Sequence, residues 1–432
     1  MAREQGTHAG LNRRQFARLF AVGGSAALLP APAMGWRGVP RLGPPPAVMT
    51  ESYWAEVRAQ FVLAPDLAIM NAANLCPSSA PVLESVYDHT KDMDRDPSFN
   101  NRAKLTEGKE TTRRLLAEFL RASPEEIIIT RNTSEANNLV SSGIDLEAGD
   151  EVVISSDNHP SNHEAWREKA RRQGFTVRIV EQVNPFPGDD YYVDAFGRAM
   201  TARTRVIAFT HQTSTVGDPM PARALCRLAR ERGVLSLVDG AQTFGVYDLD
   251  LTDMQPDFFT GSAHKWPCGP KEVGVLYVNK ATQSKIWPSI LSAYTGAAGL
   301  SKTFEGFGQR DEPAIIAFGE ALTFQTKIGR PTIEARAREL TQALIQGLRK
   351  IDGMKLWTHP APERSATVVS FLPGSLDPRK LSEALYTKER IACATRGGAD
   401  RPGLRFSPHF YNTHAEVERV LAALAKYSRL GV

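Results

Sequence analysis

Asp239 closes the apolar run VLSLVD (234–239) and is followed by Gly240, Ala241 and Gln242. Lys265 comes 26 residues later in TGSAHKWPCGP, between the apolar runs PDFFT and VGVLYV (273–278). A lysine on such a connection is ordinarily a solvated turn residue, because lysine is rarely buried. If burial lowers its pKa, however, it captures an aldehyde as a Schiff base. An aspartate at a strand end ordinarily caps the following turn. The carboxyl ends of parallel strands also face the ligand crevice, where a carboxylate holds a pyridine nitrogen protonated and makes the ring an electron sink. A third group precedes both. In ITRNTSEANN (129–138), Thr133 and Ser134 follow a strand and open a helix. Hydroxyls with free N–H groups at a helix start form either an ordinary N-cap or a phosphate site. In this chain order the three groups meet the needs of pyridoxal phosphate (PLP): the phosphate is anchored, the pyridinium neutralised and the aldehyde captured.

The elements that must position these residues alternate. KLTEGKETTRRLLAEFL reads as a helix, EEIIIT (125–130) as a short strand, and NTSEANNLVSSGI as a helix. Further strands are expected at 151–155, 176–181, 205–211, 234–239, 257–261 and 273–278, with helices such as PARALCRLARERG between them. Strands separated by helical segments indicate an α/β fold with a largely parallel sheet. The C-terminal third reads differently: a long helix near 331–350, then strand, helix, strand (GLRFSPHF) and a final amphipathic helix, HAEVERVLAALAKYSRL. That pattern describes a smaller α/β domain. The expected boundaries are a large domain over 51–320, with 51–65 packing on the small domain, and a small domain over 321–432.

The chain has 432 residues, 42% hydrophobic and 23% charged, as in ordinary globular proteins. The N-terminus does not read as fold. Arg13-Arg14 before Phe16 precedes a short, Ala- and Gly-rich apolar stretch and the small residues Ala31-Pro32-Ala33. This is the three-part form of an export signal, too short to span a bilayer, and the paired arginines point to the twin-arginine type. Cleavage near Ala33 and a periplasmic location are expected, followed by a Pro/Gly-rich linker over 34–50. Loss of four arginines and one glutamate lowers the formal charge from +4 to +1, a balance that suggests neither nucleic-acid nor membrane binding. Cys76, Cys226, Cys268 and Cys393 are widely spaced, show no metal-ligand pattern and read as small buried side chains.

Taken together, NTSEANN, DNHPSNHEAW (157–166), HQTSTVGDPMP, DGAQ, SAHKWPCGPKEVGVLYV and GLRFSPHFYNTHAEVERV resemble the class V aminotransferases of fold type I, a group that includes isopenicillin N epimerase-like proteins and cysteine desulfurases. The resemblance covers roughly 66–430. It implies a large domain with a mostly parallel, seven-stranded-type sheet, PLP as cofactor, an amino-acid-type substrate and a homodimer with shared active sites. It makes Lys265 the Schiff-base lysine and the proton shuttle at the substrate α-carbon, Asp239 the partner of the pyridine nitrogen, and Gln242 a donor to the phenolic oxygen. Thr133, Ser134, Ser262 and His264 would bind phosphate. His159 would stack on the ring, with Asn158 as the alternative. Arg405 would clamp the substrate carboxylate, with Asn71 and Asn74 nearby. Two departures stand out. Gly308-Gln309 replaces the family's Gly-Thr that reaches the neighbouring subunit's phosphate. No cysteine occurs in RGGADRPGL (396–404), where desulfurases carry their nucleophile. The favoured reading is epimerase-like, with an aminotransferase, a C–S or β-lyase, or a silent ligand-binding member as alternatives.

Overall fold

A computed structural model describes residues 39–291, 299–397 and 400–432. The expected signal over 1–33 and the first linker residues, 34–38, lie outside the described residues. The rest of the linker has no regular structure, yet Leu42 is buried against Phe324 and Ile328, and Pro40 O accepts a 2.9 Å hydrogen bond from Gln60.

The large sheet contains β2 (Ile127–Thr130), β3 (Glu151–Ser155), β4 (Thr176–Val180), β5 (Thr204–Thr210), β6 (Leu235–Asp239), β7 (Phe258–Ser262) and β8 (Gly274–Val278), in the order β2-β8-β7-β6-β5-β3-β4. Only β8 runs against its neighbours. Both faces of the sheet are covered, so its strands are almost continuously apolar. Successive residues go to opposite cores: Ile127, Ile129, Ile207, Phe209 and Val238 to one, Ile128, Val206, Ala208 and Leu237 to the other. This is the period of two expected of a pleated strand. One buried carboxylate is fully paired and ties the sheet to its neighbours. Glu305 receives Arg113 at 2.7 and 3.0 Å and the backbone N–H of Ile129 at 2.7 Å, which fixes β2 in place.

A second sheet has the order β12-β13-β10-β9, from β9 (Met354–Leu356), β10 (Val369–Pro373), β12 (Ala394–Arg396) and β13 (Gly403–Phe406). Helices Arg330–Leu348, Pro378–Glu389 and His414–Leu430 accompany it. Early residues join this part. β1 (Ala68–Ile69) pairs parallel with β11 (Ile391–Ala392), Arg58 bridges to Glu416 at 3.1 Å, and Arg336 binds Glu51 while lying over the Trp54 ring. The boundary placed at 320/321 falls inside an unbroken helix, Glu312–Ile328. Its residues Ala314, Ile315, Phe318, Ala321 and Leu322 pack in one core of the large sheet, while Phe324 and Ile328 near its end join another core with Val57, Phe61, Ile333 and Phe410.

Candidate active site

Asp239 and Ser262 end neighbouring parallel strands, with Asp239 opposite Thr260 in the ladder. β2, the strand that delivers Thr133, lies beyond β8. In register, Thr130 faces Gly274 and Gly274 faces Ser262. A Cβ on Gly274 would stand 2.8 Å from Asn132 Cα and 2.7 Å from Gly261 O. This glycine therefore lets the loop after β2 cross over β8. As a result the Ser262 hydroxyl accepts from Thr133 N at 2.9 Å and meets Thr133 Oγ1 at 2.8 Å. Gly245, at φ 92°, plays a similar part on the other side: its Cβ position lies 2.3 Å from Pro267 N, so the turn after Asp239 packs directly on the loop carrying Lys265.

A cavity of about 310 Å³ is lined by Thr133, Ser134, His159, Asp239, Lys265 and Arg405, with Asn74, Gln242, Ser262 and His264 also in its walls. Ligand pockets run from roughly 300 Å³ upward. A larger groove of about 660 Å³ follows the helix Pro160–Gln173, but neither Lys265 nor Asp239 reaches it.

The Lys265 amine makes no hydrogen bond or ion pair to another described side chain, and burial holds it below the usual lysine value, a pull opposed by Asp239 and reinforced by Arg405. Asp239 is 2% exposed. Its Oδ1 accepts from Ala241 N at 3.0 Å and its Oδ2 from Asn137 Nδ2 at 2.8 Å. Gln242 donates to Ala73 O at 3.0 Å and accepts from Trp266 Nε1 at 3.0 Å, which leaves one amide N–H free. The His159 ring nitrogen Nδ1 accepts from Ser161 N at 3.2 Å, so the ring proton of the neutral imidazole sits on Nε2. Burial, then Lys265, lowers the His159 pKa. Burial, then Lys265, pushes His264 down to about 4. Asn158 is committed elsewhere: its side chain donates to Ala208 O and accepts from Thr210 N, both at 2.9 Å. Of the two candidates, it is His159 that faces the cavity.

Arg405 donates to Ser214 O at 2.9 Å and to Asn71 Oδ1 at 3.3 Å, and its Nε is sealed from solvent without a partner. It has no carboxylate partner among the described residues. Burial, then Arg396, lowers its pKa to about 10, so it stays charged at neutral pH. Asn71 thus acts behind Arg405, while Asn74 lines the cavity itself. Gln309 is not brought to this cavity within the chain; it is exposed and accepts from Arg102.

Several contributors were not singled out from sequence. Asn137 stands four residues after Thr133, on the same helix face, and that spacing was the available signal. Ser161 joins Ser134 (3.1 Å) to His159 (2.8 Å). Ser214 contributes only its backbone oxygen, which leaves no trace in sequence. The cysteines are mostly buried, as expected. Cys76, Cys268 and His409 have no ligand-like spacing, yet the fold brings their ligand atoms within 4.8 Å of one another in the core behind Lys265. All four cysteines are free, with Cys393 the least buried.

A lysine and an aspartate at adjacent strand ends, beside a hydroxyl-lined helix start, define a PLP-dependent enzyme of fold type I. The family model for aminotransferase class-V matches residues 78–420, and the chain belongs to that family. Isopenicillin N epimerase of Amycolatopsis lactamdurans is 33% identical over 88% of this chain and 100% of its own length. The enzyme of the same name from Streptomyces clavuligerus is 32% identical over 87% of this chain and 98% of its own. A probable cysteine desulfurase of Methanothermobacter thermautotrophicus is 26% identical over 87% and 98%. Among solved structures, the cysteine desulfurase from Thermococcus onnurineus superposes with a TM-score of 0.79 at 23% identity, covering 89% of this chain and 99% of that one.

The residues present fit PLP. Thr133, Ser134, Ser262 and the helix start offer hydroxyl and N–H donors to a phosphate, Asp239 offers a preoriented buried carboxylate, and Lys265 offers an uncommitted amine.

Proposed function

We propose that this enzyme inverts the α-carbon of an amino-acid substrate, in the manner of an epimerase or racemase. The observation that carries the reading is the shared cavity of Lys265, Asp239 and Arg405, in which the lysine has no bonding partner and the arginine no carboxylate among the described residues. When bound, PLP supplies an electron sink that acidifies the substrate's α-C–H bond. Arg405 holds the α-carboxylate through its planar fork. Lys265 takes the α-proton from one face of the substrate, helped by burial that lowers its pKa, and inversion is completed when a proton reaches the α-carbon from the opposite face. His159 lines the same cavity with its ring proton on Nε2 and serves as the donor for that second transfer.

Two features favour inversion over sulfur transfer. The two epimerases match this chain at 33% and 32% identity over almost its whole length. The sequence also has no cysteine over 396–404, and burial raises the Cys393 thiol to about 11, which keeps it protonated against Ser382. Inversion needs one substrate only, which suits a periplasmic enzyme with no assured supply of a 2-oxo acid. The proposal includes that location: residues 1–33 serve as a twin-arginine signal that exports the folded, cofactor-loaded protein. It includes a homodimer in which Gln309 serves the neighbouring site. The experiment is a screen of L- and D-amino acids in deuterated water. Loss of optical activity with α-deuterium incorporation, and with no 2-oxo acid or sulfide formed, is expected. Stoichiometric 2-oxo acid formation instead would make the enzyme an aminotransferase.

A further inference from the structure

Arg396 stands beside Arg405 on the small sheet, next to the cavity's arginine rather than in the cavity lining, and the reaction proposed above does not use it. It ends β12. In the β12–β13 ladder Ala394 stands opposite Arg405, and Arg396 lies two residues further along. A strand returns to the same face every second residue, so Arg396 and Arg405 project from one face of the small sheet as diagonal neighbours, ~7–8 Å apart. Two like charges so placed repel each other, and Asp157 and Asp400 attract Arg396 only from a distance, without bonding to it. The carboxylates in reach, Asp157 and Asp400, are both taken by Arg401, each at 2.6 Å. Arg396 makes no hydrogen bond or ion pair with any described residue, and its half-buried Nε is sealed from solvent without an acceptor. A guanidinium held in this state is destabilising unless an anion arrives to pair with it.

We propose that Arg396 forms a second anion subsite, and that the substrate is an amino acid bearing another carboxylate on its side chain. Arg405 takes the α-carboxylate and Arg396 the distal one. The inference rests on the reading that the cavity accepts an amino acid at Arg405. It excludes small neutral amino acids as preferred substrates.

The test is a calorimetric titration of the purified full-length protein, with and without PLP, using glutarate and butyrate as probes. Wild type is expected to bind glutarate at least about tenfold more tightly than butyrate, a difference of about 1.4 kcal/mol. Arg396→Gln should weaken glutarate by about that factor and butyrate far less, and Arg396→Lys should restore part of the difference. The ligand-free Arg396→Gln variant should melt no lower than wild type, because it loses an unpaired charge; a merely structural arginine would lower the melting point. Equal wild-type affinities, or an unchanged ratio in Arg396→Gln, would overturn the subsite. A protein that never takes up PLP would overturn the enzymatic reading instead, and the probe comparison would still decide the subsite.

Discussion

Asn137 donates from Nδ2 to Asp239 Oδ2 at 2.8 Å, while its own Oδ1 accepts from Thr260 Oγ1 at 3.1 Å. The carboxylate only accepts, so it takes the amide's NH2 end, and the threonine hydroxyl donates to the oxygen left on the other side. All three side chains are almost fully buried, so the carboxylate is oriented before any ligand arrives. Asn137→Ala removes that support and leaves Thr260 without its acceptor. Losing a hydrogen bond to a buried charged group costs about 1–3 kcal/mol, which corresponds to a roughly 5- to 150-fold weaker hold on PLP if the loss falls on the bound state. Cofactor titration followed by absorbance measures it. An unchanged dissociation constant would mean that Asp239 needs no such positioning.

Arg405→Lys keeps the charge but loses the planar fork that meets a carboxylate with two parallel bonds. The expected loss is roughly 2–4 kcal/mol of transition-state binding, or about 30- to 1,000-fold in kcat/KM. Simple amines should be nearly indifferent to the change. Equal losses on amines and amino acids would remove Arg405 from the role of carboxylate clamp.

Acid should destabilise the fold earlier than carboxylate titration alone would. Burial lowers His211 and His264 to about 4 and His409 to about 3, and lowers His159 as well. Between those values and about 6.5, the unfolded chain binds protons that the folded chain refuses, so stability is fullest above that window and falls as pH drops through it. Asp218, raised to about 7 by burial, has the opposite sign: its folded form takes up a proton first. One carboxyl offsets one imidazole, and the other three prevail. The melting temperature should decline from pH 7 to pH 5. A flat or rising profile would show that these imidazoles do not stay neutral in the fold.

Much of the site was legible because it lies where strands end. Apolar runs locate those ends, and Thr133, Asp239, Ser262 and Lys265 follow directly. Asn158 and His159 are adjacent in sequence, and only the backbone partners of Asn158 separate their roles. The direction of β8 was not legible, since VGVLYV reads as a buried strand whichever way it runs. Nor was the helix Glu312–Ile328 recognised: eleven of its residues are buried, so it lacks the polar stripe that reveals a surface helix. Asn137 and Ser214 escaped for a different reason. Their roles depend on contacts across strands far apart in the chain, and one of them acts through its backbone alone.

The central claim is that Lys265 bonds covalently to PLP, and reductive trapping tests it most directly. Purified protein should be yellow, borohydride should bleach the band, and peptide mass spectrometry should place the pyridoxyl group on Lys265. Lys265→Ala should remain folded while losing both the band and α-proton exchange. A label on another lysine, or a variant that keeps its band and full activity, would contradict the assignment.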